Sequence, residues 1–66
     1  MKNTIRIERA IYDMTQQALA EKIGVSRQTI NAMESNKYVP STILALKIAK
    51  LFGKKVEEIF ILEDAD

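Results

Sequence analysis

Sixty-six residues make one domain, close to the size at which a single core barely suffices without metal, disulfides or a partner subunit. The absence of cysteine and histidine excludes disulfides and removes the ordinary zinc ligands, and no apolar run approaches the roughly 20 residues of a membrane span. The net charge of +1 is unevenly divided: residues 1–56 hold all ten Lys and Arg against four acids, a balance of +6, whereas residues 57–66 hold five acids and no base. A basic body suits a polyanion, and an acidic tail belongs away from it. The expectation is a cytoplasmic single domain over residues 1–66, with no membrane contact, no cofactor and no evident small-molecule ligand.

Met1 to Thr4 is polar and short, and Asn3 or Thr4 is placed to cap a first helix running to about Tyr12. On that helix Ile5, Arg9 and Tyr12 share one side, with Glu8 at its edge, and Ile7, Ala10, Ile11 and Met14 share the other. Both sides are apolar, so one should pack inward and the other should need cover from the C-terminal segment or a second subunit. Asp13 to Thr15 is the next loop. Thr15 is a suitable N-cap for a second helix, and at Thr15 and Gln16 the free N–H groups and the positive helix end suit a phosphate.

The second helix should run from about Gln16 to Ile23, where Leu19, Ala20 and Ile23 fall on one side. Gly24 ends it, because glycine adopts a left-handed conformation at least cost. Ser26 then caps a third helix, Arg27 to about Glu34, while Val25 and Ile30 have the spacing of a hydrophobic staple. Two short helices joined this tightly cross at a wide angle over a shared core, which is the helix-turn-helix plan, here spanning residues 16–34. At about 100° per residue, Ile30 and Met33 face that core, and Arg27, Gln28, Asn31, Ala32 and Ser35 lie opposite. A guanidinium, two carboxamides and a small methyl are the groups that read base edges in a major groove. Arg27 and Gln28 are the leading base-contacting residues, followed by Asn31 and Ala32, with Ser26 at the edge. A solvated polar face on an ordinary helical domain is the competing explanation; the coincidence of cap, staple, glycine and apolar spacing in one window weighs against it.

Ser35 to Ser41 (SNKYVPS) reads as a loop that ends at a new N-cap, with Lys37, Tyr38 and the backbone around Asn36 as candidate phosphate contacts. A fourth helix should follow to about Phe52, ended by Gly53. Its Leu44, Ala45, Ile48, Ala49 and Leu51 or Phe52 exceed one narrow stripe and predict burial on more than one side. A fifth helix is expected from Lys55 or Val56 to about Ile61. The apolar run Phe60, Ile61 and Leu62 then suggests a strand pairing with residues 1–5, a homodimer contact, or closure over the second face of the first helix.

Gln16, Leu19, Ala20, Ile23, Gly24, Val25, Ile30 and Met33, together with VSRQTINAMES and NKYVPS, resemble the phage repressor and Cro type of helix-turn-helix regulator, the XRE-like family, over Lys2 to Phe60. The resemblance implies an all-α, lambda-repressor-like fold of five helices, with the second and third forming the DNA-binding pair. It implies a backbone clamp at Gln16, a buried ion pair between Arg9 and Glu34, and a homodimer or a terminal strand pairing at Phe60 to Leu62. Three positions depart from the pattern: Asn36 stands where Gly is common, Glu8 where many members have Leu, and Ala18 where many have Glu.

The expected function is sequence-specific transcriptional regulation, as a repressor that binds inverted half-sites on double-stranded DNA as a homodimer. A protein-binding adaptor or antitoxin that keeps the helix-turn-helix is the alternative. Catalysis without His or Cys would need a cluster of carboxylates, Lys, Ser, Thr or Tyr, and no phosphate loop or nucleophile motif surrounds one, so the chain is not read as an enzyme.

Overall fold

In the computed structural model, which describes residues 1–66, three hydroxyls start three helices. Thr15 Oγ1 accepts from Ala18 N at 3.0 Å, Ser26 Oγ from Thr29 N at 3.2 Å and Ser41 Oγ from Leu44 N at 3.2 Å. Each satisfies a backbone donor that a helix N-terminus otherwise leaves open. The elements in order are β1 (Lys2–Asn3), α1 (Ile5–Ile11), α2 (Gln16–Ile23), α3 (Arg27–Glu34), α4 (Thr42–Phe52), α5 (Val56–Ile59) and β2 (Phe60–Ile61). At the start of α1 it is Asn3, not Thr4, whose side chain accepts from the helix, at Ile5 N.

Helix ends follow the same local logic. Gly24 and Gly53 take left-handed backbone at φ 77° and 66°, and so do the non-glycines Asp13 and Asn36 at 52° and 60°. After α3, Asn36 N donates to Met33 O and Lys37 N to Ala32 O, the paired bonds of a Schellman termination. Asparagine tolerates that conformation better than other side chains do, which explains how the turn persists without glycine.

The core is one cluster to which every helix contributes except that α1 offers a single apolar residue, Ile5. Ile5, Leu19, Ile30, Met33, Ile48 and Ile59 are fully enclosed, with Phe52 beside them. The fifth helix is shorter than its apolar content suggested. The chain leaves it at Ile59, and β2 pairs antiparallel with β1, Lys2 opposite Ile61 and Asn3 opposite Phe60. The all-α expectation with a terminal strand pairing therefore holds. Asn3 adds a tether, donating from Nδ2 to the carbonyl of Met33 at 2.7 Å.

Two expectations about α1 need correction. Glu8 is not an edge residue: it is only 3% exposed, and its Oε2 accepts from Lys54 Nζ at 2.6 Å while Oε1 has no partner. The hydrogen bond to Glu8 raises the pKa of that lysine and keeps it charged. The tail also leaves the second face of α1 uncovered, with Ile7 and Ile11 exposed. On α4 Leu44, Ile48, Ala49 and Phe52 lie in the core and Ala45 and Leu51 pack against it, while Ile43 and Leu46 stay exposed.

A second ion pair ties α1 to α3. Arg9 Nε donates to Glu34 Oε2 at 2.6 Å and Nη2 to Oε1 at 3.1 Å, and the Glu34 side chain has no exposed surface. Arg9 Nη1 also donates to the carbonyl of Met14, fixing the loop that precedes α2. Burial pushes the Glu34 carboxyl up, but hydrogen bonds from Arg9 and Gln16 and the charges of Arg9 and Arg6 outweigh it and leave the group below its ordinary value.

Two predictions follow from these pairs. Replacing Glu8 by Leu removes a half-satisfied buried carboxylate and lets Lys54 hydrate, so the thermal midpoint should rise; 1 kcal/mol corresponds to about 4–8 °C in a domain of this size, readable by circular dichroism. For Glu34, a carboxyl whose pKa is depressed by folding stabilises above its unfolded pKa and loses that contribution as pH falls through the folded one. Denaturant titrations should therefore show the native chain weakening below the ordinary glutamate range. Glu34→Gln should start less stable at neutral pH and lose less on acidification, and Arg9→Ala should cost about 3–5 kcal/mol at neutral pH.

Candidate nucleic-acid interface

The third helix is held from one side only. Gly24 turns the chain, Val25 packs partly into the core, Ser26 caps, and Ile30 and Met33 are completely enclosed. The opposite side carries Arg27, Gln28 and Asn31, all exposed. Arg27 and Gln28 make no hydrogen bond within the chain through their side chains, and Asn31 makes a single long one, from Gln16 Nε2 at 3.4 Å. A guanidinium and a carboxamide with every donor and acceptor free, on a helix wide open to one side, have the chemistry for bidentate contact with guanine and adenine edges.

The remaining candidates are less uniform. Ala32 is half-buried, in a shallow depression it shares with Val25, Gln28, Thr29, Tyr38 and Leu44, and its burial puts it at the margin of the exposed strip. Ser26 is exposed, but its hydroxyl already accepts from Thr29 N and lies 3.0 Å from Thr29 Oγ1. Thr15 is likewise occupied as a cap. The backbone after α3 needs a correction: the N–H groups of Asn36 and Lys37 close the helix on Met33 and Ala32, so neither is free for a phosphate, and the side chains of Asn36, Lys37 and Tyr38 and the N–H of Tyr38 remain. The Asn36 carboxamide itself receives a long bond of 3.4 Å from Asn3.

Gln16 sits at the first position of α2 with its side-chain nitrogen 3.0 Å from Glu34 Oε1. The carboxylate that anchors Arg9 thus also orients the glutamine at the helix start, a link of 18 residues that no local pattern in the sequence announces. Phe60 is only 7% exposed and lies in the core of its own chain, whereas Ile61 and Leu62 are exposed. Glu63 and Asp66 are engaged by the N-terminal ammonium at 3.1 and 3.0 Å, and no acid of the tail pairs with α2 or α3. No group of residues with metal-binding chemistry is assembled, and no helix is long and apolar enough to cross a membrane.

Comparison with known proteins agrees with this geometry. A family model described as helix-turn-helix matches residues 5–59. An uncharacterized transcriptional regulator of the helix-turn-helix type from Methanocaldococcus jannaschii is 59% identical over 64 residues, covering 97% of each chain. One from Bacillus subtilis is 48% identical over 64 residues with the same coverage, and one from Archaeoglobus fulgidus is 48% identical over 66 residues, all of this chain and 94% of that one. The crystal structure of a proposed DNA-binding protein from Bacteroides fragilis superposes with a TM-score of 0.78 at 33% identity, over 88% of this chain and 94% of the other. With the cap, turn and open face of α3 in place and this similarity along nearly its whole length, the chain belongs to the XRE-like helix-turn-helix family of DNA-binding transcriptional regulators, a non-enzymatic family.

Proposed function

We propose that the protein is a sequence-specific repressor that inserts α3 into the major groove and binds an inverted-repeat operator as a homodimer, blocking the promoter by occupancy. The observation that carries this reading is the free hydrogen-bonding capacity of Arg27 and Gln28 on the open side of a helix whose other side is locked into the core. Arg27 is assigned to guanine, Gln28 and Asn31 to adenine, with Ala32 and Ser26 at the margins. Gln16 holds the DNA backbone from the start of α2. Thr15, Asn36, Lys37 and Tyr38 add contacts that set affinity and register without reading sequence.

The dimer face in this proposal is the apolar groove between α4 and the terminal strands, where Ala45, Leu46, Val56, Ile61 and Leu62 line a surface that includes the edge of Phe60. A second copy offering the same groove makes a self-complementary, two-fold contact and sets two recognition helices about 34 Å apart on one side of the duplex. The adaptor or antitoxin reading draws on a different feature, the uncovered Ile7 and Ile11 of α1. A stoichiometric partner recovered with the chain, together with weak DNA binding by the isolated protein, would replace the first reading with that one.

Selection of bound duplexes from a random pool at stated salt should return an inverted repeat; no enriched motif would sink the proposal. Gln28→Ala should relax the preferred base at one position per half-site, at roughly 1–3 kcal/mol on the selected site. Equal loss on every sequence would assign Gln28 to the backbone instead. Leu62→Glu should turn a dimer into a monomer in sedimentation experiments and reduce binding of the full inverted site to the half-site level, with the melting temperature of the monomer little changed.

A further inference from the structure

Around Glu34 the charges do not cancel. Arg9 engages both carboxylate oxygens and neutralises them, yet a second guanidinium, that of Arg6, leans on the same group with Nε 3.5 Å from Oε1. The Arg6 side chain is 72% exposed, and its two Nη groups make no hydrogen bond within the chain. A long, exposed ion pair of this kind contributes little to folding. What it does is hold a surplus positive charge in place.

That place is specific. Gln16 Nε2 lies 3.0 Å from the same Oε1, so Arg6 Nε and Gln16 Nε2 are no more than 6.5 Å apart. Gln16 in turn reaches Asn31 on the open side of α3. The Arg6 guanidinium therefore stands where the start of α2 meets the base-reading strip, with donors in the fork geometry that matches a phosphate.

We infer that Arg6 is a further DNA-backbone ligand, positioned by Glu34 to hold a phosphate beside Gln16. The inference rests on the DNA-binding reading above and extends the footprint from α2 and α3 to α1. It makes the buried carboxylate a shared bracket: one oxygen orients both the glutamine and the surplus guanidinium.

The test is the salt dependence of binding by the full chain, measured between 50 and 200 mM salt on the selected duplex and on a scrambled one. Each phosphate neutralised contributes about 0.9 to the log–log slope. Arg6→Gln should lower the slope by about that amount on both duplexes, so that affinity falls about 3.5-fold less across this range than it does for the unmodified chain. Arg6→Lys should keep the slope, and Lys55→Gln, which removes the same charge from the cap of α5, should leave it unchanged. A slope for Arg6→Gln equal to that of the unmodified chain, a loss confined to the selected sequence, or an equal fall in Lys55→Gln would overturn the assignment. If the unmodified chain binds and Gln28→Ala alters base preference while Arg6→Gln changes nothing, only this inference fails. If no duplex is bound at all, the DNA-binding reading fails with it.

Discussion

A single enclosed carboxylate, Glu34 at the end of α3, governs how three helices meet. Its side chain has no exposed surface, and its charge is held by Arg9, which grips both oxygens, with Gln16 and Arg6 on one of them. That grip fixes α1 against the recognition helix, and the same guanidinium binds the Met14 carbonyl, fixing the loop from which α2 departs. Gln16 then closes the set from α2. Such a pair adds little net stability compared with an apolar substitute, since desolvation offsets most of the attraction. Breaking it is costly, so it acts chiefly on relative orientation, which helices this short cannot secure through their few apolar contacts alone.

Backbone polar groups divide the surface just as firmly. The terminations at Asp13, Asn36 and Gly53 use their own N–H groups to satisfy the preceding carbonyls, and hydroxyl caps do the same for helix starts. Groups consumed in this way are withdrawn from any partner. At the end of α3 what is left for a duplex is therefore mostly side chains, and along the helix those with no internal bond stand out, Arg27 and Gln28 above all.

The helix-turn-helix was legible because its signals are local. Gly24, the Ser26 cap, the Val25 and Ile30 spacing and the inward pair Ile30 and Met33 all lie within ten residues, and the structure has them as the pattern implied. The end of the chain was less so: Phe60 to Leu62 left three possibilities open, because the choice depends on β1, nearly the whole chain away. Glu8 was misplaced for the same reason. Its burial depends on Lys54, 46 residues on, and a helical wheel reports faces but not distant partners. The exposed strip of α3 could be read from periodicity, whereas the occupied N–H groups of Asn36 and Lys37 needed the geometry of the helix end, and the bond from Gln16 to Glu34 needed the packing of α2 on α3.

The one-sided anchoring of α3 has an evolutionary corollary. The residues that keep the domain folded, Ile30, Met33 and Glu34, and those facing outward, Arg27, Gln28 and Asn31, interleave along the helix, and no side-chain hydrogen bond joins them directly; Gln16 alone bridges Glu34 and Asn31. Scaffold and proposed address are thus separable: if the outward residues read the bases as proposed, exchanging the three would redirect such a protein to a new target while its melting behaviour stayed nearly the same, and duplicated copies could diverge quickly without passing through unstable intermediates.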